Sequence, residues 1–229
     1  MPFLLYYKIY IDTMSTTPEN TVKETTKVKP VKEAKVKPVK EAKTDVYTEG
    51  ILHRRWELYK QKAIETDEII RETGLPIRHE NPPEDITENM AKFIIRNYDN
   101  DPSCKWAKCM GLNGDLSSDK FTADKPPEVK SFTSDGPCSF GPKKKFGVIY
   151  FLDLRKWKQN KIILWKVNAT NDSPEWKTLK MNKKETHELQ CSDGRRPHIS
   201  WEKIYEQLNP LCIKIFDGSF EDIFTPPSV

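Results

Sequence analysis

Two stretches of the chain space their apolar residues for helices, and the stretches that follow space them for strands. In HRRWELYKQKAIETDEIIRETG, residues 53 to 74, Trp56, Tyr59, Ala63 and Ile70 fall on one helical face, and Gly74 stands where a left-handed residue would end the helix. In EDITENMAKFIIRNYDND, residues 84 to 101, Met90, Phe93, Ile94 and Tyr98 repeat at the same spacing, with Asp85 placed to cap the start. Beyond this the pattern changes to short strands at residues 114 to 116 and 127 to 132, then the apolar runs FGVIYFLDL and KIILWKV. HISWEKIYEQLNP predicts one more helix, capped by Ser200, and LCIKIF a closing apolar segment. Helices, a run of strands and a final helix predict an α/β (α+β) architecture, a mixed sheet flanked by helices around one core.

Composition divides the chain in two. Residues 15 to 45 carry the octapeptide KVKPVKEA twice in tandem, at 27 to 34 and 35 to 42. Repeated proline, dense charge and low hydrophobicity cannot bury enough surface to offset ordering entropy, which predicts a disordered Lys/Pro-rich arm over 1–45 and one folded domain over 46–229. The arm is either a solvated linker or a nonspecific attractor of polyanions. The opening MPFLLYYKIYI is too short and too charged to anchor in a bilayer or act as a signal, and Met14 offers an alternative start to Met1. Five cysteines form an odd set with no secretory signal, which predicts reduced thiols and an intracellular, cytoplasmic setting. The net charge is only +4, but residues 143 to 184 hold twelve Lys or Arg against three acids, while residues 65 to 101 hold ten acids against four. That asymmetry predicts a basic face toward a polyanion.

The candidate chemistry sits in GDLSSDKFTADKPPEVKSFTSDG, residues 114 to 136. On a strand, Glu128 and Lys130 share a face while Val129 points to the opposite, buried side. Asp115, thirteen residues before Glu128, is expected on a neighbouring strand beside it. Two carboxylates with water make a hard-oxygen site for Mg²⁺, and a lysine beside them would orient an attacking water and stabilise charge at phosphorus. An exposed strand bearing an ordinary ion pair is the other reading of the same residues.

Gly114-Asp115 followed by Glu128-Val129-Lys130 resembles the PD-(D/E)xK nuclease motif, with glycine where that motif carries proline. EVKSFTSDGPCSFGPKKKFGVIYFLD, GRRPHISWEKIYEQL and GSFEDIF resemble a group of small type II restriction endonucleases of bacteria and large DNA viruses, over residues 60 to 224. The resemblance implies a restriction-endonuclease-like fold and a homodimeric, Mg²⁺-dependent enzyme that cuts both strands of a short DNA site to leave 5′-phosphate ends. It implies Asp115, Glu128 and Lys130 as the catalytic set, with Asp115 and Glu128 as metal ligands, and a cognate DNA methyltransferase as a companion. Such sites often take a third acid from a preceding helix. Glu88 is that candidate, and its other reading is a helix-capping partner three residues after Asp85.

For double-stranded DNA, SDGPCSFGPKKK offers Ser134, Ser139, Lys143, Lys144 and Lys145 on a loop that directly follows the active-site strand. SDGRRPHISW adds Arg195, Arg196 and His198, where arginine can address guanine with two hydrogen bonds and a salt-bridged loop is the alternative. Cys104 with Cys109, and His187 with Cys191, lack zinc-site spacing and read as thiols packed in the fold. Trp157, Trp165, Trp176 and Trp201 read as core residues. Two other functions fit the same residues: a structure-directed or repair nuclease with this core, and a DNA-binding protein whose acids are structural.

Overall fold

The computed structural model describes residues 44–226. The tandem repeat and the alternative start lie outside the described residues. Of the 1–45 arm, only Thr44 and Asp45 are described, and Asp45 belongs to the folded body. Its side chain is 5 % exposed and lies 3.1 Å from Lys92 Nζ and 3.4 Å from Arg96.

Helix α1 spans Glu49–Thr73, with Thr48 Oγ1 accepting from the Ile51 N–H and Gly74 closing it at φ 66°. That ending is the one its glycine predicts, since a residue without Cβ enters the left-handed region freely. Leu52, Trp56 and Ala63 form its buried face. Helix α2, Glu84–Tyr98, is buried almost all round, with Ile86, Met90, Ala91, Ile94 and Ile95 in the core. It follows Pro83 and has no side-chain cap. Asp85 therefore does not cap it. The carboxylate accepts instead from Arg55 Nε at 2.8 Å, Arg55 Nη2 at 3.0 Å and Tyr47 OH at 3.0 Å, tying α2 to α1. Lys92 on α2 is fully buried, and its ammonium is matched by Asp45 and by the Tyr47 carbonyl at 2.8 Å. A buried charge persists only when so paired.

Strand β1 (Lys105–Trp106), helix α3 (Ala107–Met110) and strand β2 (Leu116–Ser117) make a small antiparallel flap. The strand expected from residue 114 thus begins later, and Asp115 lies in the turn before it. Strands β3 (Pro127–Phe132), β4 (Cys138–Ser139), β5 (Val148–Asp153) and β6 (Ile162–Val167) come next. They are followed by helices α4 (Pro174–Lys177) and α5 (His187–Ser192), strand β7 (His198–Ile199), helix α6 (Trp201–Leu208) and strand β8 (Cys212–Gly218). Ser200 occupies the N-cap position of α6 but makes no capping bond. The main sheet runs β3-β5-β6-β8, with β3 parallel to β5 and the remaining pairs antiparallel. β4 and β7 pair separately.

β5 is buried on both faces, which is why its sequence is a continuous apolar run rather than an alternation. Val148, Tyr150 and Leu152 meet Trp56, Ile86, Met90 and Ile94 on the α1/α2 side. Ile149 and Phe151 meet Phe140, Trp176, Trp201 and Ile204 on the other. The result is the expected mixed sheet between helical layers. Trp176 and Trp201 are core residues, and all five cysteines are free.

Candidate active site

Among the described residues β3 is an edge strand, and its Val129 N–H has no strand partner there. The Asp115 carboxylate takes that role, with Oδ2 accepting from Val129 N at 2.9 Å. The short range of a backbone hydrogen bond therefore fixes the acid from the turn against the strand bearing Glu128. The turn itself depends on Gly114 at φ 97°, where an added Cβ would lie 2.6 Å from Pro126 Cγ. Proline, held near φ −65°, cannot adopt this conformation, so glycine in place of the motif's proline follows from the local backbone.

The strand alternation then works as the sequence indicates. Val129 packs into the core, while Glu128, 2 % exposed, and Lys130 share the opposite face. Lys130 Nζ donates to Glu128 Oε1 at 2.7 Å. A second ammonium, Lys144 Nζ, lies 3.3 Å from Asp115 Oδ1 and 2.8 Å from Glu128 Oε2. Glu128 Oε2, buried and with no other partner among the described residues, is matched by the Lys144 ammonium alone. Burial pushes the Glu128 carboxyl above its usual range, with the Asp115 charge adding to the shift and Lys130 opposing it. Burial pulls the Lys144 ammonium down, but the two acids outweigh it and the net shift is upward.

Glu88, on α2, is also buried and sits near enough to Asp115 to feel its charge. It does not complete a cap with Asp85. Oε2 accepts from Trp106 Nε1 at 2.6 Å, and Oε1 from Lys108 Nζ at 2.9 Å. Burial raises it to about 7, with the Trp106 hydrogen bond opposing and Asp115 reinforcing. Among the described residues, no three His, Cys, Asp or Glu side chains converge as a metal cage. The acids come as a pair, Asp115 and Glu128, with Glu88 held beside them by its own partners. A pair suits Mg²⁺, which commonly uses one or two carboxylates and completes its shell with water and substrate phosphate. Glu128 Oε2 and Asp115 Oδ1 face each other across the Lys144 ammonium, and a pair of oxygens that already holds a cation fits such an ion.

By sequence alone Lys144 belongs with the DNA-contacting loop, and Trp106 and Lys108 carry no signal of a role. The signal for Lys144 lay in Gly141-Pro142, whose turn, closed by Lys144 N to Gly141 O at 3.0 Å, bends the lysine run back. Nothing local shows that this bend faces β3.

The proposed DNA-contacting segments are brought together by the β4/β7 pair, in which Ser139 opposes His198. Ser134, Lys143, Lys145, Arg196 and His198 are exposed. Ser139 Oγ is buried without a hydrogen-bond partner. The two arginines differ: Arg195 is tied to Glu185 at 2.7 Å and to Asp193 at 2.9 Å, while Arg196 makes no ion pair among the described residues. Arg195 thus has the salt-bridged arrangement, and Arg196 is free to reach outward. Close by, Arg155 joins Asp153 at 2.6 Å, Asp135 at 2.5 Å and Glu202, fixing the loop after β3 to β5 and α6. His187 Nε2 accepts from Trp176 Nε1 at 3.3 Å, and Cys191 Sγ is 3.7 Å from His187 Nδ1, a packed pair with no second cysteine or histidine at hand.

Residues 49–207 match a family model described as the Bsp6I restriction endonuclease. No curated protein and no solved structure matches the chain. No helix among the described residues is long and apolar enough to cross a membrane.

Proposed function

From the premise that the chain belongs to the Bsp6I restriction endonuclease family, and so is a deoxyribonuclease, we propose a type II enzyme whose phosphodiester cleavage is carried by Asp115, Glu128 and Lys130. The observation that carries this reading is the convergence of two buried carboxylates from separate segments on one cation position, with Lys130 held on the same Glu128. Asp115 and Glu128 would hold Mg²⁺, which supplies charge neutralisation at the phosphate and acidifies water. Lys130, on the rigid strand β3, orients the attacking water and stabilises the charge that builds on the phosphate oxygens. The products of that in-line attack are 5′-phosphate and 3′-hydroxyl ends. Glu88 joins as a third acid only if it leaves Trp106 and Lys108.

The exposed Lys143, Lys145, Arg196 and His198 border the joined β4/β7 loops and suit the DNA backbone and base edges. A two-fold symmetric recognition site calls for two active centres, so the proposal includes a homodimer. It also includes a cognate methyltransferase, because an enzyme that cuts its site wherever it occurs needs that site masked in its own genome.

Digestion of a DNA of known sequence, with Mg²⁺ or with EDTA, tests the reading. Discrete fragments that require Mg²⁺ and vanish in Asp115→Asn and Glu128→Gln are expected, with duplex binding retained in both variants. Undiminished cutting by either variant removes that residue from the catalytic set. Preference for branched substrates over a defined sequence would select a structure-directed nuclease instead.

A further inference from the structure

The geometry points to Lys144 as an internal counter-ion that occupies the divalent-cation position of the metal-free protein and has to leave before the site loads. This inference rests on the metal-site reading of Asp115 and Glu128. Two buried carboxylates facing each other without a cation would be costly, and Lys144 supplies the charge through contacts of 3.3 and 2.8 Å. The two lysines at the site have different anchorage. Lys130 is part of strand β3 and touches Glu128 Oε1, so it stays with the acid whichever cation is present. Lys144 comes from a turn, with its side chain 37 % exposed, and it touches the oxygens that no other side chain holds. A carboxylate oxygen can serve two partners, but an ammonium lodged between the two acids and a Mg²⁺ about 2.0–2.1 Å from their oxygens compete for one space.

The exit route is also defined. Lys143 and Lys145 on either side of Lys144 are exposed, so an ammonium leaving the acids joins a basic triplet open to solvent. Phosphates of bound DNA would give it a new partner, which makes DNA binding and cation loading mutually favourable by linkage. Lys144 is thus a regulatory side chain, separate from Lys130.

Mn²⁺ binding in the absence of DNA, measured by electron paramagnetic resonance of the free ion, tests this in wild type, Lys144→Met and Lys144→Gln, with Asp115→Asn to locate the ion. Removing the competing ammonium should tighten Mn²⁺ about tenfold, within the 5- to 150-fold span usual for coupled equilibria. A merely structural lysine would lower the melting temperature and leave the Mn²⁺ affinity unchanged or weakened, and that result overturns the assignment. If neither wild type nor the variants bind Mn²⁺ at Asp115, the metal-site reading falls and takes this inference with it. Should both variants fail to fold, wild-type protein decides. Acylation of lysines, read by mass spectrometry, should modify Lys144 more slowly than Lys143 and Lys145 without metal and at their rate once Mn²⁺ is added. Equal labelling without metal, or no change on adding it, refutes the proposal.

Discussion

Glu88 gives the most direct test of the electrostatics around the site. Its carboxyl ionises near 7 in the folded chain against 4.5 for the ordinary group, chiefly because it is buried. An acid whose folded value is raised binds more protons folded than unfolded between those two values, so stability must fall as pH rises through 4.5 to 7. At about 1.4 kcal/mol for each pH unit, the full gap amounts to about 3 kcal/mol of stability present at pH 4.5 and absent above pH 7. Glu88→Gln keeps an acceptor for the Trp106 indole but removes the charge. In urea unfolding in EDTA from pH 5 to 8.5, the variant should lose the Glu88 part of the slope and gain on wild type as pH rises, by up to about 3 kcal/mol less whatever the lost Lys108 contact contributes. Taking the difference between the two profiles matters, because the buried His187, whose value is lowered by burial, costs stability in the opposite direction as pH falls below 6.5. Parallel profiles for the two proteins would refute the argument that Glu88 is buried as a carboxyl of raised affinity for its proton.

Gly114→Ala should cost about 1–3 kcal/mol in chemical denaturation, because the φ of 97° and a Cβ at 2.6 Å from the Pro126 ring both oppose it. It should also lower cleavage more than Gly74→Ala, where the φ of 66° strains the end of α1 and an added Cβ meets no atom within 4 Å. Asp45→Ala should destabilise by about 3–5 kcal/mol, since it leaves the fully buried Lys92 ammonium with the Tyr47 carbonyl alone, whereas a chain starting at residue 44 should keep wild-type stability. Lys143→Ala and Lys145→Ala should each reduce the slope of log affinity against log salt by about one for nonspecific duplex, a loss visible in fluorescence anisotropy titrations. Arg196→Ala should lose more site preference than Arg195→Ala, because Arg195 is already committed to Glu185 and Asp193.

The elements legible from the sequence are those whose signal is local. The left-handed end of α1 at Gly74, the six residues of β3 and the apolar strand β5 each follow from spacing or residue type within one segment. The same holds for the shared face of Glu128 and Lys130, fixed by strand alternation. What was not legible depends on which segments meet. Asp85 has the chemistry of a cap, but Arg55 on α1 and Tyr47 just before it offer charged and hydroxyl donors that outweigh a backbone N–H. By sequence Glu88 is either a third acid of the site or a capping partner of Asp85, and its holders, Trp106 and Lys108 of the flap, carry no local signal. Lys144 belonged by composition to a solvated lysine run, and only the return of the 141–145 turn toward β3 gives it two acids.

The pair of acids is organised by a division of labour between the two oxygens of each. Asp115 commits Oδ2 to the Val129 N–H and leaves Oδ1 toward the cation position. Glu128 commits Oε1 to Lys130 and leaves Oε2 to the same cation position, held here by Lys144. Each carboxylate is therefore immobilised by one oxygen and presents the other to whichever cation lies between them, so the acids themselves need little rearrangement when an ion replaces Lys144. The arrangement needs an edge strand. In the interior of the sheet the Val129 N–H would be committed to a neighbouring strand, and Asp115 would have no backbone donor to fix it. It also frees the connection between the acids from any precise length, because the anchor is a hydrogen bond to β3 and not the conformation of residues 118 to 126. The spacing between Asp115 and Glu128 in the sequence thus says little about the site, while the strand on which Glu128 lies, and its position at the edge, say nearly everything.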